Sequence, residues 1–289
     1  MQNDLNHRAM LAVLNRRIWQ AAATDRNIAE KAEKEAGAER GTLKVIKELV
    51  PKDYLSSIRR IADIGYDEHV KMTVPGFMRG QNLLCTGALE RYSSIQKEII
   101  YNFQKEVESF IDIYPGLYSK AQKRLGRSFR PNDFPSHNEL PGYFEYSIKF
   151  FPVPRVMDWR IEGLADGDVE KYRDEAYQSI KAMYDAATLE VFRRAKLTLT
   201  SLADQATKYE PKFGGASLLR EATIEAVKEM ANLVSEMNIA HDPELYKIGK
   251  EMRDNFAKLD AKALRHSEEE RKTVAVTAMD ILKRINARV

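Results

Sequence analysis

Lys120, Lys123, Arg124 and Arg127 stand at spacings of i, i+3, i+4 and i+7 within the stretch "SKAQKRLGRSFR", Ser119 to Arg130. On one continuous helix those four side chains share a face. Cations grouped in this way neutralise phosphates. Arg130 extends the group, while Tyr118 and Phe129, with Tyr114 nearby, offer rings on which bases can stack. No acidic residue occurs between Asp112 and Asp133, and residues 40–130 hold 16 basic and 10 acidic residues. Gly126 weakens a helix at that point. The competing reading is a solvated face that keeps a helix soluble.

Other constellations carry less chemistry. The sequence has no G-x-x-x-x-G-K-[ST] or G-x-G-x-x-G, and therefore no indicated phosphate cradle. H-E-x-x-H and G-x-S-x-G are also absent. His7, His69, His137, His241 and His266 lie far apart, with no second histidine at helical ligand spacing, so no metal site or cofactor is expected. "ADGD", Ala165 to Asp168, lacks the later carboxylates of a calcium loop and reads as an acidic helix start. "YDEH", Tyr66 to His69, reads as a polar, solvent-facing stretch, because adjacent helical positions point apart. Cys85 is the one cysteine and sits beside Leu83 and Leu84, which predicts a buried apolar role. With no catalytic constellation in view, an enzyme ranks behind a binding or assembly protein.

Composition sets the scale. The chain has 289 residues, 44% apolar and 31% charged, enough for one large or two modest domains. Its net charge of +3 excludes a uniformly cationic coat but leaves room for a local basic face. "MQNDLNHRAMLAVLNRRIWQ" has no unbroken apolar run, so no signal peptide is expected. No segment reaches the roughly 20 apolar residues of a membrane span. A soluble protein in a reducing compartment is expected.

The elements that must position the basic stretch read as mostly helical. Leu5, Met10, Leu11, Leu14 and Ile18 predict a helix over 5–36, stopped by Gly37 and Gly41. Residues 42–65 predict two short helices broken at Pro51, and 73–87 a loop. Tyr92, Ile95, Ile99, Phe103, Val107 and Phe110 predict a long helix over 89–114, interrupted by Pro115 and resuming at 116–125. Five of the ten prolines fall between 129 and 163, which marks a different kind of structure. There "FEYSIKFF", Phe144 to Phe151, alternates as a half-buried strand whose best nearby partner is 156–161. A two-stranded ribbon is marginal alone, so it must pack on helices, borrow a third strand from 72–86, or accept a partner's strand at its edge.

From 164 onward the pattern is helical. The stripe from Val169 to Tyr209 predicts one straight helix of about 40 residues, roughly 60 Å long. Gly214 and Gly215 predict a reversal, with Ser217 capping a return helix. Asp242 before Pro243, and Ser267 to Glu270, predict two further helix starts. The fold class expected is mainly α: an N-terminal helical region over 1–128, a proline-rich segment with a β-ribbon over 129–163, and a C-terminal helical hairpin with terminal helices over 164–289.

The sequence resembles a family of uncharacterised helical proteins encoded by tailed bacteriophages. The likeness runs over about 42–255. It is carried in order by Thr73-Val74-Pro75, by Asp133-Phe134-Pro135-Ser136, by Pro152-Val153-Pro154 with Asp158-Trp159-Arg160, and by Met237-Asn238-Ile239 with Asp242 to Leu245. It departs at Gly76, where the family pattern has tryptophan, and at Trp159, where it has phenylalanine. The resemblance implies a phage protein in the host cytoplasm and no particular activity. Two functions are therefore expected: a non-enzymatic accessory protein of phage DNA metabolism that binds DNA or RNA, or an assembly or virion-associated protein that forms homo-oligomers or docks on a phage partner.

Overall fold

A computed structural model of the chain describes residues 7–154, 166–209 and 219–289. Its elements are β1 (Ala9–Arg17), β2 (Ala22–Thr24), α1 (Arg26–Ala36), β3 (Ile46–Glu48), α2 (Ser56–Met72), β4 (Val74–Pro75), β5 (Gln81–Cys85), α3 (Leu89–Leu125) and β6 (Glu145–Pro152). They continue with α4 (Asp166–Lys208), α5 (Glu221–Glu236), α6 (Pro243–Phe256), α7 (Ala261–His266) and α8 (Glu268–Asn286). The fold is mainly α with a small antiparallel sheet. Contacts divide the chain into two compact units: Leu14–His69 with Ser93–Lys149, and Met1–Val13 with Val70–Tyr92 and Phe150–Val289. This division alternates along the chain, whereas the sequence suggested three consecutive segments.

The unit of Leu14–His69 and Ser93–Lys149 contains the basic stretch. Its core gathers Trp19, Leu49, Leu55, Ile58, Phe103, Phe110, Tyr114, Phe144 and Tyr146. Aromatic edges dominate: Trp19 meets Tyr114 edge-on at 5.8 Å and Phe110 meets Phe144 at 5.7 Å. Such pairs add to simple area burial. A strand is present as β6; Phe144 just before it and Tyr146 within it are buried, but Ile148 is only half-buried and Phe150 is exposed, so the expected buried face does not run the length of the strand. Gly65 is required by packing, since a Cβ there would collide with the Tyr146 hydroxyl. That hydroxyl donates to Gln96 Oε1 at 2.9 Å, and Gln96 Nε2 donates to the Gly65 carbonyl at 3.1 Å.

The other unit holds the register of β1 on β5, antiparallel from Ala9 opposite Cys85 to Val13 opposite Gln81, with Val74 of β4 opposite Leu83. The four-stranded order is β4-β5-β1-β6. Gly76 closes the β4–β5 hairpin: its N–H donates to the Gln81 carbonyl at 2.9 Å, and a Cβ there would sit 2.6 Å from that oxygen. Gly76 thus permits a tight closure here. Helix α4 packs most extensively on α5 and α8. Gln205 donates through Nε2 to Thr223 Oγ1 at 2.7 Å, and its Oε1 accepts from the Arg220 N–H at 3.0 Å. The expected double-glycine turn at Gly214 and Gly215, with Ser217, lies outside the described residues.

Several expectations are corrected. The stretch 5–36 is not one helix: Ala9–Arg17 is a strand, because its apolar residues fit either period and pairing with β5 overrides helix propensity. Residues 42–50 hold β3, not a helix. Residues 73–87, expected as a loop, supply β4 and β5. Pro115 does not interrupt α3, which runs 37 residues through it. Pro115 faces outward between buried Tyr114 and Leu117, so its ring falls away from the core. The partner of β6 in the sheet is β1; the expected partner, 156–161, lies outside the described residues. His69 is buried, not surface, and desolvation pushes its imidazole down to about 4.

Candidate nucleic-acid interface

The last turns of α3 divide cleanly by face. Leu117 and Ala121 are buried, while Lys120, Lys123 and Arg124 are exposed. Cations in a last turn also suit the negative end of the helix dipole. The helix ends at Leu125, and Gly126 adopts φ +50°, the left-handed region that favours glycine. A short 3₁₀ turn, Gly126–Ser128, follows. Arg127 therefore lies beyond the end of α3, which corrects the expectation of four cations on one uninterrupted helical face.

Arg124 differs from its neighbours. Its Nη2 donates to the carbonyls of Glu48 and Leu49 at 2.8 and 2.9 Å, so it anchors α3 to β3 while keeping its charge. Lys120, Lys123 and Arg127 are exposed and make no ion pair among the described residues. Arg130 is exposed as well and adds to the positive field around Asp25.

Beneath these cations lies a buried ionic network that the sequence did not reveal. Lys47 Nζ is 2.6 Å from Asp133 Oδ2 and 4.0 Å from Asp25 Oδ2, and it donates to the Ser128 carbonyl at 2.6 Å. Asp25 also caps α1 by accepting from the Ile28 N–H. A hydrogen bond with the Ser128 side chain, the Ile28 N–H, and the charges of Lys47 and Arg130 hold the Asp25 carboxyl below its ordinary range, against the opposing effect of burial. The network clamps both ends of the segment from Ser128 to Asp133. A cap signal before α1 could have exposed Asp25; nothing local marks Lys47.

Tyr118 and Phe129 do not stand free. Their rings meet edge-on at 5.5 Å, and Phe134 closes the triad at 5.2 Å from Tyr118 and 5.4 Å from Phe129. Both pack against the core. Beside the triad, a groove of about 720 Å³ runs between α3 and the segment 131–139. Tyr114 at its edge donates its hydroxyl to the Pro135 carbonyl at 2.8 Å, and burial pushes its pKa up to about 12. Ser136 donates both its N–H and its hydroxyl to Glu139 Oε2. Phe134, Pro135 and Ser136 thus build part of one wall of this groove.

Elsewhere, Cys85 is buried and burial pushes its thiol up, so it is a poor nucleophile. Among the described residues no group of three or more His, Cys, Asp or Glu could hold a metal ion. No described helix is long and apolar enough to cross a membrane. Compared with protein-family models, curated proteins and solved structures, the chain matches none.

Proposed function

We propose that this chain is a non-enzymatic nucleic-acid-binding protein of phage DNA metabolism, working in the host cytoplasm, that grips the phosphate backbone. One observation carries the reading: Lys120, Lys123 and Arg127 are exposed and make no ion pair among the described residues, on a base stiffened by the Lys47 network. The phage assignment leans on the resemblance alone. Tyr118 and Phe129 are held edge to edge, and phosphate contacts supply the salt-dependent part of the affinity of this surface.

The experiment is a titration of labelled DNA and RNA at several salt concentrations, followed by Lys120→Ala, Lys123→Ala and Arg127→Ala together. The slope of log affinity against log salt should fall by about 0.7–0.9 per lost phosphate contact. Unchanged affinity and slope in the triple variant would sink the reading.

A second reading, homo-oligomeric assembly, has its own observation. β6 is an edge strand among the described residues, and Phe150 and Phe151 on it are 45% and 47% exposed. An edge with exposed aromatic residues favours pairing with another strand. Light scattering across protein concentrations tests it, and a constant monomer mass counts against it.

A further inference from the structure

We infer that the groove beside the aromatic triad receives an unstacked base, so that this surface prefers single-stranded nucleic acid to duplex. The inference rests on the backbone-binding reading and adds its substrate class. Three features of the groove support it. Its volume, about 720 Å³, lies within the range of small-molecule sites. Its walls include Tyr118, Phe134 and Pro131, which supply apolar surface for a flat ring. Asn132 and His137 also line it, and neither makes a hydrogen bond to any described residue, so both can pair with the edge of a base.

Charge placement selects the occupant. Ser119 lines the groove and is followed by exposed Lys120; Pro131 lines it and is preceded by exposed Arg130. A base seated in the groove leaves its phosphates outside, at a rim flanked in sequence by exposed Lys120 and Arg130, while Glu139 in the lining is engaged by Ser136. A duplex keeps its bases stacked inside and presents only its backbone, so it meets the cations and leaves the groove empty. An apolar peptide would make no use of that rim.

The test compares three labelled probes of equal length at one salt concentration: a single strand, an abasic single strand and a duplex. The base-bearing strand should bind at least about 5-fold tighter than the abasic one, the gain expected from one stacked base. Asn132→Ala with His137→Ala should shrink that ratio severalfold. Ser119→Trp, which fills the groove from an exposed position, should bring it close to one. A wild-type ratio near one, or a ratio that survives Ser119→Trp, overturns the inference. In either case, salt-dependent binding of all three probes would leave the backbone reading standing. If no probe binds, both readings fall together.

Discussion

Lys47 on β3 and Asp133 beyond α3 form an ion pair of 2.6 Å, although 86 positions separate them in sequence. Lys47 is buried, and Asp133 is largely so. The pair joins the small β2–β3 ribbon to the segment that carries Arg127 and Arg130. Removing one partner of such a pair leaves the other charge uncompensated, which costs far more than the intact pair contributes.

Lys47→Met should therefore lower stability by roughly 3 kcal/mol in urea unfolding. Lys47→Met combined with Asp25→Asn and Asp133→Asn should recover much of that loss. A single variant as stable as the parent would show that the network has no structural weight.

Stability should also fall as pH drops from about 6.5 toward 4, because of His69. Its folded value is near 4 and its ordinary value is 6.5, so below 6.5 the unfolded chain takes up a proton that the folded chain refuses. The stabilising contribution is complete above 6.5 and is lost on acidification through this window. A shift of that size corresponds to about 3 kcal/mol. Unfolding curves for the parent and His69→Gln at pH 7 and pH 4.5 should show a smaller acid loss in the variant; parallel losses would contradict it.

Gly65→Ala should destabilise by about 2 kcal/mol or more, because its methyl group overlaps the Tyr146 hydroxyl. Gly65→Ala with Tyr146→Phe should be milder than the sum of the two single changes, since the phenylalanine removes the nearest of three clashes while the ring carbon and Ile99 Cγ2 stay at 2.6 and 2.7 Å. Strict additivity in a double-mutant cycle would argue against this packing.

Arg194 on α4 donates through Nη1 to the carbonyls of Val70, Lys71 and Thr73 at 3.0, 3.2 and 2.9 Å, closing the C-terminal end of α2. Helix ends need such partners. Arg194→Ala should cost about 2 kcal/mol, with Arg194→Lys recovering only part, because one ammonium cannot serve these carbonyls and also Glu190 Oε1, to which Arg194 Nε donates at 2.9 Å. Amide exchange near Lys71 to Thr73 is the local readout, and no change there would refute the capping role.

Much of this was legible in the sequence, and the misses share a cause. The Asp242 and Ser267 caps appear as expected, accepting from the N–H groups of Glu244 and Leu245, and of Glu270. The core stripe of α3 is also where periodicity placed it, with Phe103, Val107 and Phe110 buried. These features depend on neighbours three or four residues away. Ala9–Arg17 was misread because its strand character comes from β5, about 70 residues downstream. For the site, type and spacing found the cations, but not that Arg124 is tied to the Glu48 and Leu49 carbonyls. Nor could they show that Tyr118 and Phe129 close on Phe134. Lys47 looked like any other lysine, because its two carboxylates lie 22 and 86 positions away.

Gly126 contributes neither charge nor side chain to the basic region, yet its left-handed backbone decides the direction in which Arg127 and Arg130 leave the rod. A residue with a Cβ would resist that twist by about 1 kcal/mol and pull the following turn toward the helix axis. The spacing of the positive charges is thus written in a residue that no inventory of charges would include. Re-engineering the region by exchanging lysines and arginines alone would alter its strength while leaving its shape under the control of a hydrogen atom.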